Sequence, residues 1–268
     1  MVKIFKALTV AGSDSGAGAG IQADLKTFAA HGVYGISVIT AITAQNTRKV
    51  TQILELPPDL VSAQIDAVIQ DIGAHALKTG MLANAAIIEV VAEKIREHGL
   101  RNLVVDPVMV AKSGDVLLQK DAIEALRSVL IPLAAIVTPN LPEAQELAGI
   151  RETDLKAIKE AAVRIAGMGA KSVLIKGGHR KGPATDIFYD GQRFRELSAT
   201  RIRTPHTHGT GCTFSAAIAA NLARGEKLER AVVLAKRYIT EAIRRGFAIG
   251  AGHSPVHHFY RTWKRDEA

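Results

Sequence analysis

A short run late in the chain gathers the residues best suited to chemistry: His208-Gly209-Thr210-Gly211-Cys212-Thr213, followed at once by an apolar stretch of helical character. Glycines at a helix start leave several amide N–H groups without intrahelical acceptors, and the positive end of the helix dipole converges with them on one point. An anion can be held there. A phosphoryl group in transfer spreads negative charge over its oxygens, so a cradle built by Gly209, Thr210 and Gly211 would stabilise it most in the transition state. Cys212 shares that turn. A helix N-terminus lowers the pKa of a thiol, which predicts a sulfur able to take a hydroxyl proton. The competing assignment is a small hydrophobe packed in the core.

Other segments add candidates. Asp106 in Val104-Val105-Asp106-Pro107, and Asn140 with Glu143 in Thr138-Pro139-Asn140-Leu141-Pro142-Glu143, offer hard oxygen ligands of the kind magnesium prefers. Glu143 also has the position of a helix N-terminal capping residue. Lys176, ahead of Gly177-Gly178, could bridge phosphates or simply reach solvent. The run Gly12-Ser13-Asp14-Ser15-Gly16-Ala17-Gly18-Ala19-Gly20 could let a ligand approach bare backbone, or be a tight turn and nothing more. It is out of register with G-x-G-x-x-G, and G-K-[ST] is absent, so dinucleotide-binding and P-loop chemistry are disfavoured. His206/His208 and His257/His258 have ligand-like spacing, but without a cysteine pair or H-E-x-x-H they make a poor zinc site.

What must position these residues is an alternation of short β-rich runs with longer amphipathic ones. Strands are expected at 7–11, 36–44, 76–79, 103–106, 135–138 and 172–176, with helices at 20–30, 59–72, 85–97, 122–129, 141–148 and 155–168. A hairpin at 185–189 and 193–196 and helices at 211–223 and 228–245 follow. The pattern predicts an α/β fold: a mostly parallel central sheet with helices on both faces, in one domain over 1–268 with frayed termini. In such sheets ligands sit beyond the carboxyl ends of the strands, where Gly12, Gln45, Met81, Asp106, Asn140 and Lys176 all fall.

Length and composition narrow the class. With 268 residues, 47% hydrophobic and 22% charged, the chain can bury a large core and is not a disordered one. One cysteine excludes an internal disulfide framework, and no run of about 20 apolar residues or signal-peptide block occurs, which points to the cytoplasm and away from membranes. The net charge of +8 is dispersed and not interleaved with aromatics, so it suits anionic small molecules better than nucleic acid.

Taken together, the Gly12 loop continuing into Ile21-Gln22-Ala23-Asp24-Leu25-Lys26-Thr27, Thr43-Ala44-Gln45-Asn46-Thr47, Lys78-Thr79-Gly80-Met81-Leu82, Asp106-Pro107-Val108-Met109, the Asn140 and Lys176 segments, the 208–213 turn and Pro255-Val256-His257-His258-Phe259 resemble the hydroxymethylpyrimidine/phosphomethylpyrimidine kinases of thiamine biosynthesis. The resemblance spans nearly the whole chain. It implies a ribokinase-like fold, ATP and Mg2+ as cofactors, and two successive phosphorylations of a small hydroxymethylpyrimidine. By the same resemblance Gln45 contacts the pyrimidine, Gly12 and Met81 line its pocket with Asp24 nearby, and Cys212 is the base. The 209–212 turn is the anion hole, Lys176 neutralises phosphates, and Asp106, Asn140 and Glu143 organise metal and nucleotide. A homodimer is expected. Pyridoxal kinases are the nearest rival, although the second cysteine some of them carry has no counterpart at Val110-Ala111-Lys112. A noncatalytic metabolite-binding regulator and a nucleic-acid-binding module are the alternatives of other classes.

Overall fold

The structure, a computed structural model, describes residues 3–110, 114, 117–179 and 182–263. Ala111 and Lys112, and the C-terminal residues expected to fray, lie outside the described residues. Strands β1 (Lys6–Asp14), β2 (Tyr34–Gln45), β3 (Val50–Glu55), β4 (Ala76–Thr79), β5 (Leu103–Val105), β6 (Ile136–Val137), β7 (Val173–Ile175), β8 (Asp186–Tyr189) and β9 (Phe194–Leu197) form one sheet in the order β3-β2-β1-β4-β5-β6-β7-β8-β9. The pairings from β2 through β1 to β7 are parallel, whereas β3, β8 and β9 each run antiparallel to the strand before them.

Helices are α1 (Gly20–Ala30), α2 (Pro58–Asp71), α3 (Ala85–Glu97), α4 (Lys120–Ala125), α5 (Leu141–Ala148), α6 (Leu155–Gly167), α7 (Thr210–Ala223) and α8 (Leu228–Arg244). Strand side chains alternate between faces, and the two cores follow that period. Leu8, Val10, Leu77, Val105, Val137 and Ile175 pack with helices α2 to α6. Their neighbours Ala7, Ala76, Val104, Ile136 and Leu174 pack with α1, α7 and α8. Buried on both faces, the central strands read as continuous apolar runs, as parallel strands do. Helix α7 lies within the second core and buries every residue from Thr213 to Ala223, which explains why it is apolar on most sides, with Thr213, Ser215 and Asn221 the polar exceptions.

Two differences from the expected elements have physical causes. Strand β3 escapes a periodicity search because it is an exposed edge strand whose adjacent Ile53 and Leu54 break the alternation. The helix expected to run unbroken over 122–129 instead ends as α4 at Ala125, widens into a π-turn over Leu126–Leu130 and tightens into a 3-10 turn at Ile131–Leu133, where Pro132 stops it. No helix among the described residues is long and apolar enough to cross a membrane.

Candidate active site

The chain leaves β1 toward β2 on one side and β4 on the other, and a crevice of about 930 Å³ opens at the carboxyl ends of the strands there. Gly12, Gln45, Met81, Asp106, Asn140, Glu143, Lys176, Gly209, Thr210, Gly211 and Cys212 all line it. Residues up to 200 positions apart thus meet because each ends a strand or begins a helix.

Gly209 caps α7 with φ of 72°, in the left-handed region, and no side chain caps the helix. Helix geometry leaves the amides of 209, 211 and 212 without intrahelical acceptors, directed at the crevice end of the helix. A Cβ on Gly209 would lie 1.8 Å from the Gly18 carbonyl oxygen, so the turn and the glycine-rich loop touch backbone to backbone. Gly209→Ala is therefore expected to destabilise the fold by at least about 1–3 kcal/mol, read as a lower urea midpoint. At Gly211 a Cβ would sit 3.3 Å from Lys176 Nζ, which brings the free amides and the ammonium to one place.

The thiol departs from expectation. Cys212 is half-buried and faces the crevice, but burial pushes its pKa up to about 11, against the attraction of the Lys78 ammonium and a hydrogen bond from the Gly20 amide. The helix dipole predicts the opposite direction. Packing of α7 against α1 and the sheet buries the sulfur, and desolvation raises a thiol.

Asp24 also stands elsewhere than expected. It does not line the crevice; it is fully buried behind it, where its Oδ2 accepts from Lys78 Nζ at 2.8 Å and from Thr9 Oγ1 at 2.6 Å. A carboxylate ending in the core needs such a partner to offset its desolvation. Lys78, equally buried, is the member of the pair that reaches the crevice. Burial works to strip its proton, but Asp24, Cys212 and Asp106 together outweigh burial and hold the pKa above the usual lysine range. Gly80 makes room for the ammonium, since a Cβ there would lie 2.8 Å from Nζ.

On the far side of the crevice Lys176 Nζ donates to Asp106 Oδ1 at 2.7 Å and stands 4.0 Å from Glu143. Ser215 Oγ and Thr138 Oγ1 donate to the two Asp106 oxygens at 3.1 and 3.2 Å. Burial would raise Asp106, but the Lys176 and Lys78 ammonium groups keep its carboxyl below the ordinary value. Glu143 differs: burial lifts it to about 7 because Lys176 compensates it only in part. It also closes a capping box on α5, with Asn140 N donating to Glu143 Oε2 at 2.7 Å and Glu143 N to Asn140 Oδ1 at 2.9 Å. Both the capping and the crevice assignments of Glu143 thus describe the same side chain.

Sequence reasoning left Asp14 without a role. The carboxylate accepts from the amides of Gly16 (2.8 Å), Gly18 (3.1 Å) and Ala19 (2.8 Å) and pairs with His208 Nε2 at 2.9 Å. Burial raises its pKa, yet the His208 hydrogen bond and these amides together bring it below the ordinary carboxylate value. The glycine-rich loop is thus folded around a side chain of its own, and its amides at 16, 18 and 19 are spent. Gln45 lies beside this pair, its Oε1 accepting from Thr43 Oγ1 at 3.2 Å and its amide nitrogen 3.4 Å from His208 Nε2. With the Nε2 proton directed at Asp14, that nitrogen cannot accept from Gln45, whose amide protons remain for a ligand. The signal for Asp14 was its place in the loop, Asp followed by amides at +2, +4 and +5, which is an Asx-type turn.

The family model for phosphomethylpyrimidine kinase matches residues 14–257. A hydroxymethylpyrimidine/phosphomethylpyrimidine kinase of Rhizobium meliloti is 54% identical over 96% of this chain and 98% of its own. The thiamine biosynthesis bifunctional protein ThiED of Geobacter sulfurreducens is 52% identical over 94% of this chain, which spans about half (51%) of that longer relative. Among solved structures, the Bacillus subtilis pyridoxal kinase in an ADP complex superposes with a TM-score of 0.90 at 44% identity, covering 96% of this chain and 98% of that one. A strand-end crevice on a mostly parallel sheet, the motifs that line it and a match over nearly the full length coincide, and the chain belongs to the phosphomethylpyrimidine kinase family.

Proposed function

We propose that the chain phosphorylates the hydroxymethyl group of 4-amino-5-hydroxymethyl-2-methylpyrimidine from ATP, and then its monophosphate to the diphosphate. The observation that carries this is the convergence, in one crevice, of the uncapped 209–212 turn, the Cys212 thiol and the Gln45 amide. Gln45 can donate to and accept from an aminopyrimidine edge, and Met81 and Gly12 form an apolar wall for the ring. Cys212 Sγ takes the hydroxyl proton as the oxygen attacks the γ-phosphorus and the bond to the ADP oxygen breaks. The amides of the turn hold the charge that spreads over the transferring group. Lys176, kept cationic by Asp106 and Glu143 against burial, neutralises phosphate oxygens.

Glu143 fits magnesium, because its buried carboxyl, lifted to about 7, lacks the counter-charge a cation would supply, and Asp106 offers a second hard oxygen ligand in the same crevice. Bound there with the nucleotide phosphates, the ion would offset charge on the nucleotide.

A coupled ADP-release assay over pyrimidine and pyridoxine-type alcohols tests the proposal. Hydroxymethylpyrimidine should give two successive phosphorylated products, and ADP release with no phosphorylated pyrimidine would reject it. A second possibility, pyridoxal kinase activity, is favoured by the likeness to the Bacillus subtilis enzyme and would show as preferential turnover of the pyridine alcohols in the same assay.

A further inference from the structure

The C-terminal run Pro255-Val256-His257-His258-Phe259 is part of the family resemblance, yet no step above uses it. It belongs to a strap, residues 249–258, that joins the two halves of the crevice. On one side the strap grips Thr47, two residues beyond Gln45: His253 N donates to the Thr47 carbonyl at 2.7 Å, and Gly252 N to Thr47 Oγ1 at 3.1 Å. The approach is close enough that a Cβ on Gly252 would lie 2.0 Å from the Thr47 oxygen. On the other side His208 N donates to the Ser254 carbonyl at 3.0 Å, just ahead of the anion turn. Just past the turn, Thr213 Oγ1 and His258 Nε2 share a hydrogen bond of 3.0 Å. The strap is itself fixed to α8, through His257 N to the Ala242 carbonyl at 2.9 Å and Tyr238 Oη to the His258 carbonyl at 2.7 Å.

The logic of this arrangement lies in what it avoids. A turn that offers its amides to an anion cannot also have them capped, and α7 has no side-chain cap. The strap holds the turn from the residue before it and from a side chain after it, leaving the amides between untouched. We propose that residues 249–258 form a brace that keeps the anion turn in register with the Gln45 turn, with Thr213 and His258 as positioning residues. Burial, with Lys26, His257 and His208 nearby, pushes His258 down to about 3, so the bond joins neutral partners near neutral pH.

The inference rests on the kinase activity proposed above, and its test separates the two. Thr213→Val removes the hydroxyl at constant shape, and Thr213→Ser keeps it. For Val we expect kcat to fall roughly ten- to hundredfold, the scale of a misplacement near 1 Å, with the pyrimidine KM nearly unchanged and a small drop in melting temperature. Amide hydrogen exchange should quicken at the bonded amides of the 208–213 segment, His208, Thr210 and Thr213, and Ser should restore both kcat and exchange. Unaltered kcat in Val, a loss that Ser does not recover, or a loss with unaltered exchange at 208–213 would overturn the brace. If the wild-type chain yields no phosphorylated pyrimidine, the kinase proposal fails on its own, and unaltered exchange in Val then decides against the brace independently.

Discussion

Cys212→Ala is expected to lower kcat by about two to four orders of magnitude, the usual contribution of a positioned general base, while urea denaturation shows a native-like fold. The side chain is small and half-buried, so its loss leaves little cavity. The stronger test is pH. A base must be deprotonated to act, and burial holds this thiol near 11 in the free protein. The thiolate fraction therefore climbs about tenfold per pH unit through the neutral range, and kcat/KM should climb with it between pH 7 and 9. The residual activity of Cys212→Ala should lack that rising limb. A flat wild-type profile, or an alanine variant with the same limb, would exclude the thiol as the base.

Lys78→Met should destabilise the protein by about 3–5 kcal/mol, because Asp24 would be left as a buried charge without its partner. Pairing it with Asp24→Asn removes that charge while leaving Thr9 an acceptor, and stability measured in urea should largely return. Activity should not. Lys78 is the foremost group opposing desolvation of the Cys212 thiol, so in the double variant the thiol pKa, followed by the pH dependence of alkylation, moves further up and turnover stays low. A double variant with both stability and turnover restored would show that the pair serves the core alone.

The parts legible in the sequence were those carried by local pattern. Apolar runs announce β1, β2 and β4 to β7, and Asp186–Tyr189 with Phe194–Leu197 announce the antiparallel edge, whereas the exposed β3 goes unannounced. The motif residues are legible for a related reason: they lie where strands end or helices begin, and strand ends are where an α/β sheet keeps its ligands. Contacts between distant segments left no such trace. Asp14 and His208 meet across 194 positions, and nothing in either segment names the other. Asp24 and Lys78 sit in recognisable motifs, yet only packing shows that the lysine faces the crevice and the aspartate does not. The direction of the Cys212 shift was misjudged because a helix terminus can be seen in sequence, whereas the surfaces packed around the sulfur cannot.

The carboxylate of Asp14 has a further consequence for where negative charge can settle. Two helices, α1 and α7, aim their starts at the crevice, and either could in principle lodge a phosphate. The loop leading into α1 already harbours an anion of its own in Asp14, so of these two helix starts an incoming phosphate meets repulsion at α1 and welcome at α7. Of the two helix starts, α7 is then the one left open to the migrating group, and that sets the end of the crevice at which transfer takes place.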